Sequence, residues 1–146
     1  KQGGGGEHKL TQEIERRSLS NIIMMGSVEK KKVYSVLKEF DACYVGMLDS
    51  PLYQFGTSLT KLPEYLASKK PIVFASNSPF QPIKEANAGL SVKAEDGAAV
   101  SEAIFELYKM TVEERLRLGL NGYKAAVEQY DYTMLAKRLA FTLFKE

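Results

Sequence analysis

"DACYVGMLDSPLYQFGTSLTKLPEYLASKKPIVFAS", residues 41–76, sets two short apolar runs, Ala42–Met47 and Pro71–Ala75, around a segment with Leu62, Tyr65 and Leu66 at helical spacing. Neither run alternates strictly between apolar and polar residues, which is the pattern of strands covered on both faces. The link between them is too long for a hairpin and long enough for a crossover helix, so the two strands are expected to lie parallel. Pro63 belongs in the first turn of that helix, where its missing N–H would be unpaired in any case. The helix cap is therefore expected at about Thr60.

The same alternation extends both ways. Ile22–Met25 reads as a strand before this unit and Leu90–Val92 as one after it. Leu10, Ile14 and Arg17 mark a leading helix. Val33, Val36, Leu37 and Phe40 mark a second, and Ile83, Ala86 and Asn87 another. The expected fold class is α/β: a doubly wound, Rossmann-like parallel sheet with helices on both faces. Beyond Val92 only helices follow. Val100, Ala103, Ile104, Leu107 and Tyr108 form one stripe, and Leu116, Leu120, Tyr123, Val127 and Tyr130 a second. Leu135, Leu139 and Leu143 form a third, which is expected to cover a neighbouring domain or to drive self-association where exposed. Asp96 and Asp131 are expected to start helices, and Thr111 with Glu114 forms a capping box. Gly119 and Gly122 permit close packing of the long helix or mark a break in it. The glycine-rich start, residues 1–6, is read as flexible, and residues 7–146 as the folded part.

The totals narrow the function. A 146-residue chain with 45% hydrophobic and 26% charged residues has an ordinary soluble composition, and its net charge of +2 carries no nucleic-acid footprint. The single Cys43 has no disulfide partner and sits in an apolar run as a small hydrophobe. His8 and Cys43 do not make a zinc site. No apolar run approaches the length that spans a bilayer and no signal peptide is visible, so a cytoplasmic location is expected.

The helix that opens near Thr60 carries the candidate chemistry. The amides of Thr60, Lys61 and Leu62 with the Lys61 ammonium suit an anion, while Gly56, Thr57 and Ser58 allow close backbone approach and supply hydroxyls. Glu64, a turn deeper, suits both hydroxyls of a ribose diol. Together they fit a nucleoside diphosphate. The plainer reading is a surface pair, Lys61 with Glu64, at a helix start that favours an acid. Asn77, Ser78 and Glu95 follow strands and suit either the ligand cleft or turn chemistry; Asp49 suits a cap for the turn beginning at Ser50.

"NIIMMGSV" (21–28), the opening stretch, "EANAGLSVKAED" (85–96) and "MTVEERLRLGLNGYKAAVEQYDYTMLAKRL" (110–139), in this order, resemble the C-terminal donor-binding domain of group 1 glycosyltransferases of GT-B architecture, of the type that builds bacterial capsule and lipopolysaccharide. The likeness runs from about Gly5 onward. It implies a retaining transfer of a sugar from a nucleotide-diphosphate donor to an acceptor hydroxyl, with no metal or other cofactor. By position, Glu64 resembles the ribose-binding second glutamate of the family's pair, and the amides of Ser58, Leu59, Thr60, Lys61 and Leu62 resemble its diphosphate cradle. Gly26, Ser27 and Val28 match the nucleobase loop, and 53–57 the part facing the sugar. Gly56 stands where the first glutamate of the pair would be, and Pro63 where an apolar residue is usual.

The family's domain begins with two further strands and a helix carrying a phosphate-gripping cation. The resemblance therefore implies that these residues are part of a longer protein with an N-terminal acceptor-binding domain, active only when joined to it and located in the cytoplasm or at the inner face of the membrane. Two alternatives stand beside this reading. One is a nucleotide-sugar isomerase of the same architecture. The other is a phosphorylation receiver, which "MLDSP" (47–51) and "KKP" (69–71) resemble.

Overall fold

The computed structural model describes residues 5–55 and 59–144, with the side chains of 5–7 left aside. Two compact units, Lys1–Val33 and Tyr34–Glu146, divide the chain. The first holds helix α1 (Gly5–Arg16), which overlaps the glycine-rich start at Gly5 and Gly6. Glu13 accepts hydrogen bonds from Arg16 and Arg17, which hold its carboxyl down to about 2. Beyond α1 the expected strand Ile22–Met25 is not a strand. It is irregular and exposed, Ile23 to 82%. A strand needs a neighbour to take its N–H and C=O groups, and no described residue pairs with this one.

The second unit is a mixed α/β domain. After α2 (Val33–Lys38), strand β1 (Cys43–Gly46), helix α3 (Leu62–Ala67), β2 (Ile72–Ala75), α4 (Pro82–Glu85) and β3 (Gly89–Val92) form a small parallel sheet with helical crossovers. Three long helices follow: α5 (Gly97–Lys109), α6 (Val112–Tyr130) and α7 (Tyr132–Leu143). The register pairs Cys43 with Ile72 and Gly46 with Ala75, then Ile72 with Gly89 and Ala75 with Val92. Strand order is β1-β2-β3. The order reversal of a doubly wound sheet is not seen among the described strands.

The central strand β2 is buried on both faces. On one face Val73 packs with Ala103 and Leu107 of α5 and Leu118 of α6, edged by Leu90 and Val92. On the other, Ile72 and Phe74 are fully covered. β3 comes so close that a side chain at Gly89, whose φ is +156°, would run into the Ile72 carbonyl.

Helix α6 corrects the expected stripe. Its core face is Leu118, Gly119, Gly122, Ala125 and Ala126, while Leu116, Leu120, Tyr123 and Val127 stay exposed. The close approach explains why: a Cβ at Gly119 would strike the Lys69 carbonyl, and one at Gly122 would lie 3.3 Å from Ala88 and Leu66. Only small residues fit there, and the helix runs through both glycines unbroken. In α5 the core takes Ala103 and Leu107 and leaves Ile104 and Tyr108 outside. The stripe of α7, Leu135, Leu139 and Leu143, is exposed.

Candidate functional site

Two hollows flank β1. The larger, about 440 Å³, lies between β1 and α5 and is walled by Ala42, Tyr44, Ile104 and Tyr108, with Asp41 and Arg115 as its charged groups. Arg115 is already engaged, donating to the Leu107 and Met110 carbonyls at the end of α5. The smaller, about 290 Å³, runs along β1 to its carboxyl end and collects Val45, Gly46, Leu59, Thr60, Lys61 and Tyr65. Ligands of open parallel sheets enter at the carboxyl ends of strands, and this second hollow gathers four of the residues singled out in the sequence: Leu59, Thr60, Lys61 and Leu62.

The local geometry shifts the cap. Helix α3 starts at Leu62 with Pro63 in its first turn, as the proline requires, but the cap is Lys61, whose side chain makes no capping bond. Thr60 is displaced from that role because the Leu62 amide donates to the Leu59 carbonyl at 3.0 Å, closing a tight turn one residue later than expected. The same bond occupies one of the amides read as an anion donor. The Thr60 and Lys61 amides donate to no described residue. With only six residues, α3 contributes little dipole, so the charge offered to a ligand is that of the exposed Lys61 side chain.

Glu64 is half-buried in the first turn of α3 and is not among the residues lining the hollow. No ion pair joins it to Lys61 among the described residues. Gly56, Thr57 and Ser58 lie outside the described residues. Gly26, Ser27 and Val28 belong to the first unit, exposed, with Gly26 at φ +71°. Tyr53 and Phe55 belong to a 3-10 turn, Pro51–Phe55, whose cap is Ser50 rather than Asp49: the Leu52 amide donates to the Ser50 hydroxyl at 3.4 Å.

Two tyrosines complete the walls, Tyr44 and Tyr65, neither of which was read in the sequence as a site residue. The ring of Tyr44 lies against Gly46, leaving no room for a side chain there. Tyr65 has its phenol pushed up by burial, then by neighbouring Cys43 and Glu64. The available signal was positional: Gly46 ends a parallel strand, and Tyr65 lies one helical turn from Lys61.

The polar residues after β2 and β3 are structural. The Asn77 side chain accepts from the Ala94 amide at 3.1 Å, the Ser78 hydroxyl donates to the Tyr53 carbonyl at 3.2 Å, and Asp96 caps α5 through the Ala99 amide at 2.9 Å. Glu95 is exposed at φ +60°. Among the described residues no group of three His, Cys, Asp or Glu side chains could hold a metal ion, and no helix is long and apolar enough to cross a membrane. No protein-family model, curated protein or solved structure matches this chain.

Proposed function

We propose that the chain is the donor-binding part of a retaining glycosyltransferase, a Rossmann-like domain of GT-B architecture that holds a nucleotide-diphosphate sugar at the carboxyl end of β1. The observation that carries this reading is the convergence of Leu59, Thr60, Lys61 and Leu62 with the carboxyl end of a parallel strand in one hollow of about 290 Å³. The pyrophosphate sits against the Thr60 and Lys61 amides and the Lys61 ammonium, with Glu64 as the acceptor for the ribose diol. As the sugar–phosphate bond breaks, negative charge grows on the departing diphosphate. Donors fixed beforehand stabilise that charge more than they stabilise the bound donor, which is what lowers the barrier. The acceptor and the groups that handle its proton belong to a further domain.

The test is NMR of the labelled chain with uridine and guanosine diphosphates. One of them is expected to shift the amide signals of 59–65. Lys61→Ala is expected to weaken binding by about 1.5 kcal/mol, the size of a charge-assisted hydrogen bond. Glu64→Ala is expected to weaken the nucleotides and leave inorganic pyrophosphate unaffected. Shifts confined to other residues, or binding indifferent to both substitutions, would remove the proposal. Acetyl phosphate acting on Asp49 would favour the receiver reading instead.

A further inference from the structure

Helix α6 carries two faces that are apolar for different reasons. One is the small-residue face that seats it against α3 and the turn after it. The other is the row Val112, Leu116, Leu120, Tyr123 and Val127, each between 39% and 58% exposed. From Leu116 the row steps by four, three and four residues, which is the two-per-seven spacing of a helix–helix seam. From Leu116 to Val127 it extends about 17 Å along the helix axis. A scatter of exposed leucines needs no explanation, whereas a continuous seam of this length does.

The charges beside the seam say what kind of helix fits it. Between Leu116 and Val127 the helix carries Arg117 and Lys124 and no acidic residue. On the other flank the Lys69 ammonium sits over the Tyr123 ring, 4.4 Å from its centroid. The nearest acids stand at the ends: Glu113 and Glu114 before the seam, Glu114 engaged by the Thr111 amide, and Glu128 after it, 3.9 Å from Lys124. Two copies of this row set antiparallel would bring Arg117 and Lys124 against their own kind, and set parallel would bring them against the uncharged Gly119 and Ala126, so self-pairing in neither direction satisfies these cations. We propose that the Leu116–Val127 seam docks an amphipathic helix of a protein partner whose apolar stripe is bordered by carboxylates. The inference is independent of the donor site.

The probe is a synthetic helix of about three heptads, leucine at the core positions and glutamate at the flanks, compared by fluorescence anisotropy with the same helix carrying lysine at the flanks. The glutamate helix is expected to bind at least about ten-fold more tightly, with affinity falling as salt rises. Leu120→Asp, which sets a carboxylate in the seam, is expected to abolish binding. The pair Arg117→Glu and Lys124→Glu is expected to reverse the preference, an outcome that general stickiness does not produce. All three positions are exposed, so circular dichroism and thermal melting should match the parent chain. Equal binding of the two helices, or none, would overturn the proposal. So would a homodimer that Leu120→Asp dissolves, since the seam would then belong to a second copy.

Discussion

Cys43 shows how far one residue's behaviour follows from its place in β1. Burial pushes its thiol above the ordinary value of 9.0, and the opposing pull of the Ser68 hydroxyl and the Lys70 charge is smaller. Little thiolate forms near neutrality, and the thiolate is the nucleophile. Alkylation by iodoacetamide at pH 8 is therefore expected to be far slower in the folded chain than in urea, which mass spectrometry reads directly; equal rates would mean that β1 opens readily. The sign of the pH effect follows. Above pH 9 the unfolded chain sheds this proton while the folded chain keeps it, so stability falls as pH rises through that range. Single residues with local partners were also the most legible in the sequence. Asp96, Asp131 and the Thr111–Glu114 box all cap as expected, because each bond spans two or three residues. Thr60 was not legible, because the Leu59 carbonyl took the amide that its cap would have used.

At the level of elements, periodicity located helices well and assigned their faces less well. Leu116, Leu120, Tyr123 and Val127 make the stronger apolar pattern in α6, yet its seat against α3 and the turn after it is set by clearance at Gly119 and Gly122. Clearance leaves a mark in the sequence only as glycine, which reads equally as a break. The two glycines differ in what surrounds them, and that difference is testable. Alanine favours a helix interior over glycine by about 1 kcal/mol. At Gly122 the added methyl meets the Leu66 side-chain end, which can yield, and the Ala88 Cβ, which moves only with its backbone, both at 3.3 Å; this mild crowding offsets the helix gain, so Gly122→Ala should be close to neutral in a urea melt. At Gly119 it meets the Lys69 carbonyl, part of the turn that launches β2. Gly119→Ala should destabilise by about 1–3 kcal/mol, as overpacking does. Equal effects of the two substitutions would show that α6 is not held at that distance. The strand at Ile22–Met25 fails for a related reason: an apolar run states that burial is favourable but does not supply the neighbour that makes it a strand.

For the whole molecule, the sheet's outline depends on which strand is central, and here the sequence was half legible. Ala42–Met47 and Pro71–Ala75 read alike as buried runs, but Tyr44 and Gly46 interrupt the first and nothing interrupts the second. In the fold the uninterrupted run is central and the interrupted one is an edge. The Cys43 and Met47 amides donate to the Pro71 and Ala75 carbonyls, both at 2.9 Å. The strand's alternation therefore turns the intervening Tyr44 and Gly46 amides away from β2, toward the side where no described strand lies. Native amide exchange reads this asymmetry residue by residue. Ile72, whose amide donates to the Ala88 carbonyl at 3.0 Å in the centre of the sheet, should exchange only through the largest openings of the domain. Tyr44 and Gly46 should exchange orders of magnitude faster, close to the rate of an unstructured amide. Protection of Tyr44 and Gly46 to the level of Ile72 would mean that the edge is covered in solution. Its dependence on protein concentration would then separate a second copy, which dilution removes, from cover within the chain, which dilution leaves in place.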